Sequence, residues 1–236
     1  MNQIADHYRH RVETSESTDF LAQVGHTLNG QAVAPAHVEA MKQQIVDVLD
    51  LAEGDHLLDL GCGNGVFTVD LVRITGSGLG LDLSPSLIEL ARTHHSTVGL
   101  DYVAVDLKAL AANPAGLDKR FNKVLMHAAL QHFQPHGFGA LLDSVLDRCE
   151  PECTLFFALV PDSSKRWTFY NTLERRVRYV WERFRGRHLF GYWWSPRYVE
   201  QACRERDLEI NFPPVPQILD SARYRFGIKI RRTDPQ

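Results

Sequence analysis

Three glycines at alternate positions, Gly61, Gly63 and Gly65, interrupt the stretch LLDLGCGNGVFTVDLV at residues 57–72. An apolar run enters them and a helical apolar pattern leaves them, so they mark a strand-to-helix turn. Without Cβ atoms such a turn can adopt positive φ, and a ligand can lie close against its main chain. A tight turn needs one glycine; three imply that something flat or extended packs there. The dinucleotide fingerprint G-x-G-x-x-G would place its third glycine at 66, where Val66 stands, and no G-K-[ST] follows. Two carboxylates lie downstream. Asp82 ends a second apolar run, where a carboxylate can accept from both hydroxyls of a ribose and excludes a 2′-phosphate; Asp106 ends a third, one strand further out, where an adenine amino group needs an acceptor. Past a fourth run, His127, His132 and His136 in MHAALQHFQPH are the candidates for a general base. The alternative for each is a helix cap or a bond to a backbone carbonyl. Their spacing matches no ligand pattern and no acidic cluster accompanies them, so no metal is expected.

The elements that would position these groups alternate. Residues 35–51 open with proline and place Val38, Met41, Ile45, Val48 and Leu49 on one helical face. Strands are expected at 56–61, 78–83, 100–107, 121–130 and 153–161, with helices at 65–76, 84–95 (Ser84 as N-cap) and 138–149. Strands apolar almost throughout belong to a parallel sheet covered on both faces. Two late strands, 208–212 and 223–232, follow a helix at SPRYVEQACRERD. The expected architecture is α/β: a doubly wound, mostly parallel seven-stranded sheet with an antiparallel last strand, a helical N-terminal segment and a helical insertion after strand 5. It forms a single domain over 1–236, divided into an N-terminal helical cap (1–52), a cofactor-binding core (53–160), an insertion or lid (161–194) and a C-terminal helix and strand pair (195–236).

Composition sets the outer bounds. The 236 residues are 44% hydrophobic and 23% charged with a net charge of −3, an ordinary globular balance that can bury one sizeable core. No apolar run is long enough to span a membrane. The first twenty residues show no basic region before an apolar stretch and read as no signal peptide. Cys62, Cys149, Cys153 and Cys203 complete neither a metal site nor a disulfide framework and read as reduced cytoplasmic thiols.

Taken together, LLDLGCGNG resembles the first motif of the class I S-adenosylmethionine-dependent methyltransferases. GLGLDLS resembles their second motif, VAVDL their third and FNKVLMHAALQHF their fourth, in matching order over roughly residues 35–160. The resemblance implies a small-molecule enzyme that binds S-adenosyl-L-methionine and releases S-adenosyl-L-homocysteine. It implies that Asp59, Gly61, Gly63 and Gly65 line the methionine and ribose portions, with Cys62 and Leu83 beside them. Asp82 would bind the ribose, Asp106 and the Leu107 amide would meet the adenine, and His127 would approach the sulfonium. Tyr8 resembles an N-terminal aromatic that folds over the cofactor. His132 occupies a place where small-molecule members carry a substrate-facing histidine, so His132 and His127 are the catalytic candidates.

The acceptor is read from the insertion. Residues 165–187 hold eight Lys or Arg against two Glu. Trp167, Tyr170, Val177, Trp181 and Phe184 recur at helical spacing. This is an amphipathic helix whose aromatic stripe packs on the sheet or on a second subunit as a homodimer, and also a lid whose arginines greet a phosphate or carboxylate. Tyr170, Tyr192, Trp193 and Trp194 are the expected pocket-facing residues. The favoured partner is a small anionic metabolite, methylated on O or N, with neither nucleic acid nor membrane involved. Three rivals stand beside it. A nucleic-acid (tRNA or rRNA) methyltransferase lacks support, because HAALQH is not an Asn-Pro-Pro-aromatic signature and no RNA-binding module is appended. A nicotinamide oxidoreductase is disfavoured by Val66. A cofactor-binding but non-catalytic protein is disfavoured by the intact glycine turn.

Overall fold

The computed structural model describes residues 10–14, 18–28, 31–112, 119–186 and 190–233. Seven strands form one sheet: β1 (His56–Leu60), β2 (Ser77–Asp82), β3 (Leu100–Ala104), β4 (Phe121–His127), β5 (Cys149–Pro161), β6 (Glu209–Asn211) and β7 (Arg225–Arg232), in the order β3-β2-β1-β4-β5-β7-β6. β1 to β5 pair in parallel, and β7 runs antiparallel to both β5 and β6. The expected doubly wound sheet with an antiparallel last strand is the observed one.

Among the described residues the helices of eight residues or more are α1 (Pro35–Leu49), α2 (Thr68–Thr75), α3 (Pro85–His94), α4 (Phe138–Leu146), α5 (Leu173–Phe184) and α6 (Pro196–Arg204). Ser84 caps α3 by accepting from the Leu87 amide at 3.4 Å, and a left-handed Gly76 closes α2, both as the sequence predicts. The pleat of β1 divides the core. Leu57 faces Met41, Ile45 and Leu49 of α1 with Val72 of α2, while Leu58 and Leu60 face Phe138 and Leu142 of α4 with Val199 of α6. The central strands β1 and β2 are therefore buried on both faces, which is why no alternation shows in their sequence. β5 begins at Cys149, four residues before its expected start, so CEPEC is the irregular entry to a strand; all four cysteines are free and buried.

Connections from β1 run outward through β2 to β3, then the chain returns to place β4 on the other side of β1. The loops after β1 and β4 consequently part, and a crevice opens beyond their carboxyl ends.

Candidate functional site

The crevice is built on the glycine turn. Gly61, Gly63 and Gly65 take φ of 79°, 59° and 77°, so the main chain itself demands glycine. A Cβ on Gly61 would come within 2.7 Å of Ala129 Cβ, and one on Gly63 within 2.6 Å of Val24 Cγ1. A Cβ on Gly65 would strike the Tyr102 hydroxyl, which donates to the His95 carbonyl at 2.8 Å. Gly61 and Gly63 line the crevice; Gly65, expected there, does not, because it makes room for Tyr102.

Asp59, Gly61, Cys62, Gly63, Asp82, Leu83, Asp106, Leu107, His127 and His132 come together around this crevice, which opens about 980 Å³, mouth included. Asp82 accepts from the Gly63 amide at 2.9 Å and the Ser84 amide at 2.8 Å, and burial raises its carboxyl above the ordinary value. Asp59 is buried at the end of β1. One oxygen accepts from the Thr68 hydroxyl at 2.6 Å; the other, Oδ1, has no partner among the described residues. Burial pushes this carboxyl up to about 7, against the Thr68 bond and aided by the nearby Asp82 charge. Burial likewise pushes the Cys62 thiol up, leaving it neutral.

The N-terminal segment closes the crevice from above, by a route the sequence did not reveal. Asn64, inside the glycine turn and fully buried, donates to the Phe20 carbonyl at 2.8 Å and to Gln23 Oε1 at 3.0 Å. This docks a single helical turn, Phe20–Gln23, onto the glycine turn and carries Val24 and His26 over it. His26 stacks on His127 at 5.1 Å, and Phe67 packs on both rings. Burial, reinforced by the Arg225 charge, lowers His26 to about 4; burial and the His26 and Arg225 charges hold His127 well below the usual imidazole range. Both rings are neutral near pH 7. The one sequence signal was Asn64 itself, a polar residue that could not be buried without partners. Tyr8 lies outside the described residues.

A second cavity, about 1150 Å³ with its mouth, shares Val24, His26, Ala128 and His132 with the first. Its far wall carries Arg11, His37, Phe190, Tyr224 and Arg225. Two non-glycine residues lining this cavity, Ala128 (φ 53°) and Leu159 (φ 55°), are left-handed. Leu159 sits at an irregularity of β5, and its carbonyl turns to accept from Arg225. Arg225 also lies over the Phe190 ring at 5.1 Å and the Tyr224 ring at 5.8 Å.

The expected acceptor-facing residues lie elsewhere. Trp194 is fully buried, packed edge-on against Phe138 at 5.4 Å, because its backbone extends β5 by pairing with Pro161 and Asp162. Trp193 stacks on Phe190, Tyr170 packs against Tyr179, and the Tyr192 hydroxyl accepts from Gln134. None of the four lines either cavity. Phe190 and Tyr224, which do, were not singled out. Among the described residues no cluster of three His, Cys, Asp or Glu is placed to hold a metal ion.

Comparison with known proteins decides the cofactor. Residues 57–152 match a family described as a methyltransferase domain. A ubiquinone biosynthesis O-methyltransferase of Nitrosococcus oceani is 27% identical over 184 residues, spanning 74% of this chain and 72% of that protein. Its counterpart in Bordetella avium is 26% identical, over 70% of this chain and 69% of that one. In fold, the chain is similar to the magnesium protoporphyrin IX methyltransferase of Synechocystis PCC 6803 with bound S-adenosylhomocysteine (TM-score 0.61, 13% identity, 98% and 96% coverage). Residues 57–152 carry a methyltransferase domain, and S-adenosyl-L-methionine is its methyl donor.

The methyltransferase's crevice fits its cofactor on the structure's own terms. The partnerless Asp59 Oδ1 is a buried acceptor suited to a cationic group such as the cofactor's ammonium. The bare main chain at Gly61 and Gly63 admits close approach, Asp82 keeps acceptor capacity for a ribose, and Leu83, Leu87, Leu107 and Phe133 offer apolar walls for a base. The neutral His26 and His127 add no positive charge where a sulfonium would stand.

Asp59 makes this fit pH-dependent. Binding a cation favours the carboxylate, so affinity for S-adenosylhomocysteine should fall about tenfold per unit below about pH 7 and be flat above it. In the cofactor-free protein the sign reverses. A carboxyl raised from 3.8 to about 7 lends full stability below its unfolded value; stability then declines as pH climbs between those limits, by on the order of 4 kcal/mol in all. Asp59→Asn should therefore raise the melting temperature of the free protein at pH 8 while weakening cofactor binding and removing its pH slope. Calorimetric titration from acid to mildly alkaline pH checks both, and a slope that survives in the variant contradicts the assignment.

Proposed function

We propose that this methyltransferase methylates a hydroxyl oxygen of a small anionic metabolite, held in the second cavity. The carrying observation is the shared wall: Val24, His26, Ala128 and His132 border both cavities, so an acceptor in one faces a methyl donor in the other. Arg11 and Arg225 supply positive charge to the acceptor side, with His37 beside them, against the single carboxylate of Asp220. That balance supports an anion. The relatives named as O-methyltransferases support oxygen as the acceptor atom.

When bound, the cofactor supplies a methyl group already activated on a sulfonium, so the chain's task is alignment, exclusion of water and removal of one proton. His132, at the junction, takes the proton of the acceptor hydroxyl at a ring nitrogen. His127, held well below the usual imidazole range and wedged between His26 and Phe67, forms the wall behind the transferred group. Asp82 holds the ribose hydroxyls, Asp106 and the Leu107 amide hold the adenine, and the His26–His127 pair keeps water from the reacting atoms.

His132→Ala should lower kcat by roughly 10²–10³-fold with S-adenosylhomocysteine affinity within about twofold of the parent. Equal loss of both quantities would move His132 into the cofactor site. Incubation with labelled methyl donor and a panel of hydroxylated carboxylates, the corresponding amines and bulk tRNA tests the acceptor class. Label in the hydroxy acids is the expected result, and label confined to amines or to RNA overturns the reading.

A further inference from the structure

Helix α5 is built inside out. Its inward side carries Tyr179, packed on Tyr170 at 4.5 Å and accepting from Arg166 at 3.3 Å, with the buried Glu182 one turn along. Its apolar residues face solvent instead: Leu173 is 78% exposed, Val177 60%, Val180 58%, Trp181 50% and Phe184 91%. At 100° per residue these five occupy one arc about 100° wide. Arg176 and Arg183 run along one edge of that arc, and Arg178 and Arg185 along the other, all four exposed. Arg185 lies over the Trp181 ring at 4.1 Å.

We infer that α5 is a docking element for an anionic phospholipid surface, lying in the plane of the headgroups with the Leu173–Phe184 stripe immersed. The pattern is that of an interfacial helix: a narrow apolar face with Trp, Phe and Leu, bordered by arginines that reach back to lipid phosphates. The excess of positive charge in residues 165–187 lies in a chain whose net charge is −3, so attraction to acidic lipid is local to this helix while the rest of the surface is repelled. Charge also decides against a second copy. A two-fold contact across the stripe would bring like-charged arginine rows together, and a helix of 12 residues falls short of the about 20–30 residues a side of a stable interface. Twelve residues span roughly 18 Å, which suits lying on a bilayer rather than crossing it. No helix among the described residues is long and apolar enough to cross a membrane. The sequence had excluded a membrane partner on that ground alone; a surface-bound helix escapes it.

The test is flotation of the full-length enzyme with vesicles of phosphatidylglycerol and phosphatidylcholine, against phosphatidylcholine alone, at low salt and at about 0.5 M salt. The expected result is partition onto the anionic vesicles only, lost at high salt. The double variant Trp181→Ala/Phe184→Ala should lower that partition at least about tenfold while its affinity for S-adenosylhomocysteine is unchanged, since neither residue touches either cavity. Arg178→Glu/Arg185→Glu should do the same without removing apolar surface. No flotation at low salt, or flotation unaltered in both variants, overturns the inference. So does a light-scattering mass that falls from dimer to monomer in the Trp181/Phe184 variant, which would make a second copy the occupant.

Discussion

Asp82→Ala should weaken S-adenosylhomocysteine binding by about two to three orders of magnitude and leave the chain folded. The carboxylate ends β2 at the mouth of the crevice and is already held by the Gly63 and Ser84 amides. Those two bonds orient it; its remaining lone pairs face the crevice and are available to two neighbouring hydroxyls. Hydrogen bonds to a charged group contribute about 1.5–3 kcal/mol each, so losing two costs about 3–6 kcal/mol of binding, and the stated factor is the lower part of that range. The loss to folding is smaller. Burial disfavours this carboxylate, so its removal offsets part of the cost of freeing two amides. Asp82→Asn, which keeps an acceptor but no charge, should fall between. Titration calorimetry paired with thermal melting reads both quantities. Affinity unchanged in the alanine variant would mean that the adenosine lies elsewhere.

Trp194→Ala is expected to act in the opposite way. The sequence placed this residue before the acceptor, where its loss would lower turnover and spare stability. The structure sets it in the core beneath α4 and α6, fully buried against Phe138. Deleting it leaves a cavity the size of an indole and should cost about 3–5 kcal/mol, lowering the melting temperature by about 10 °C in a domain of this length. The folded fraction should bind cofactor as the parent does. Trp194→Phe should be mild, because the indole N–H has no hydrogen-bond partner among the described residues and nothing polar is lost with it. A stable alanine variant with impaired turnover would restore the original reading.

The contrast between these two residues lies in what fixes their position. The place of Asp82 at the crevice was legible because it is topological. A strand apolar on both faces must be central, and its carboxyl end must face the crevice. Trp194 was not, because an aromatic at the end of an insertion can turn either way. Its direction is set by the bridge that pins residues 161–162 and 194 side by side. Gly65 was misplaced for a related reason, since its neighbour, Tyr102, arrives from another strand. His26 was missed because residues 18–28 carry no strong periodic signal and are held by Asn64, a contact across forty-odd positions of chain. Helix α5 had the expected period, but its stripe faces away from the sheet, because periodicity reports that a stripe exists and says nothing about which side meets the protein.

By itself the sequence determined the doubly wound sheet, the glycine turn and the two strand-end carboxylates, because these follow from burial patterns and backbone geometry local to each strand and turn; the cofactor came from the resemblance of those motifs to a known family. The tertiary structure alone decided which aromatics line the second cavity, which histidines are neutral, what borders the crevice and which face of α5 is left bare. Those depend on which atoms meet across long stretches of chain, and on the desolvation that only such meetings produce.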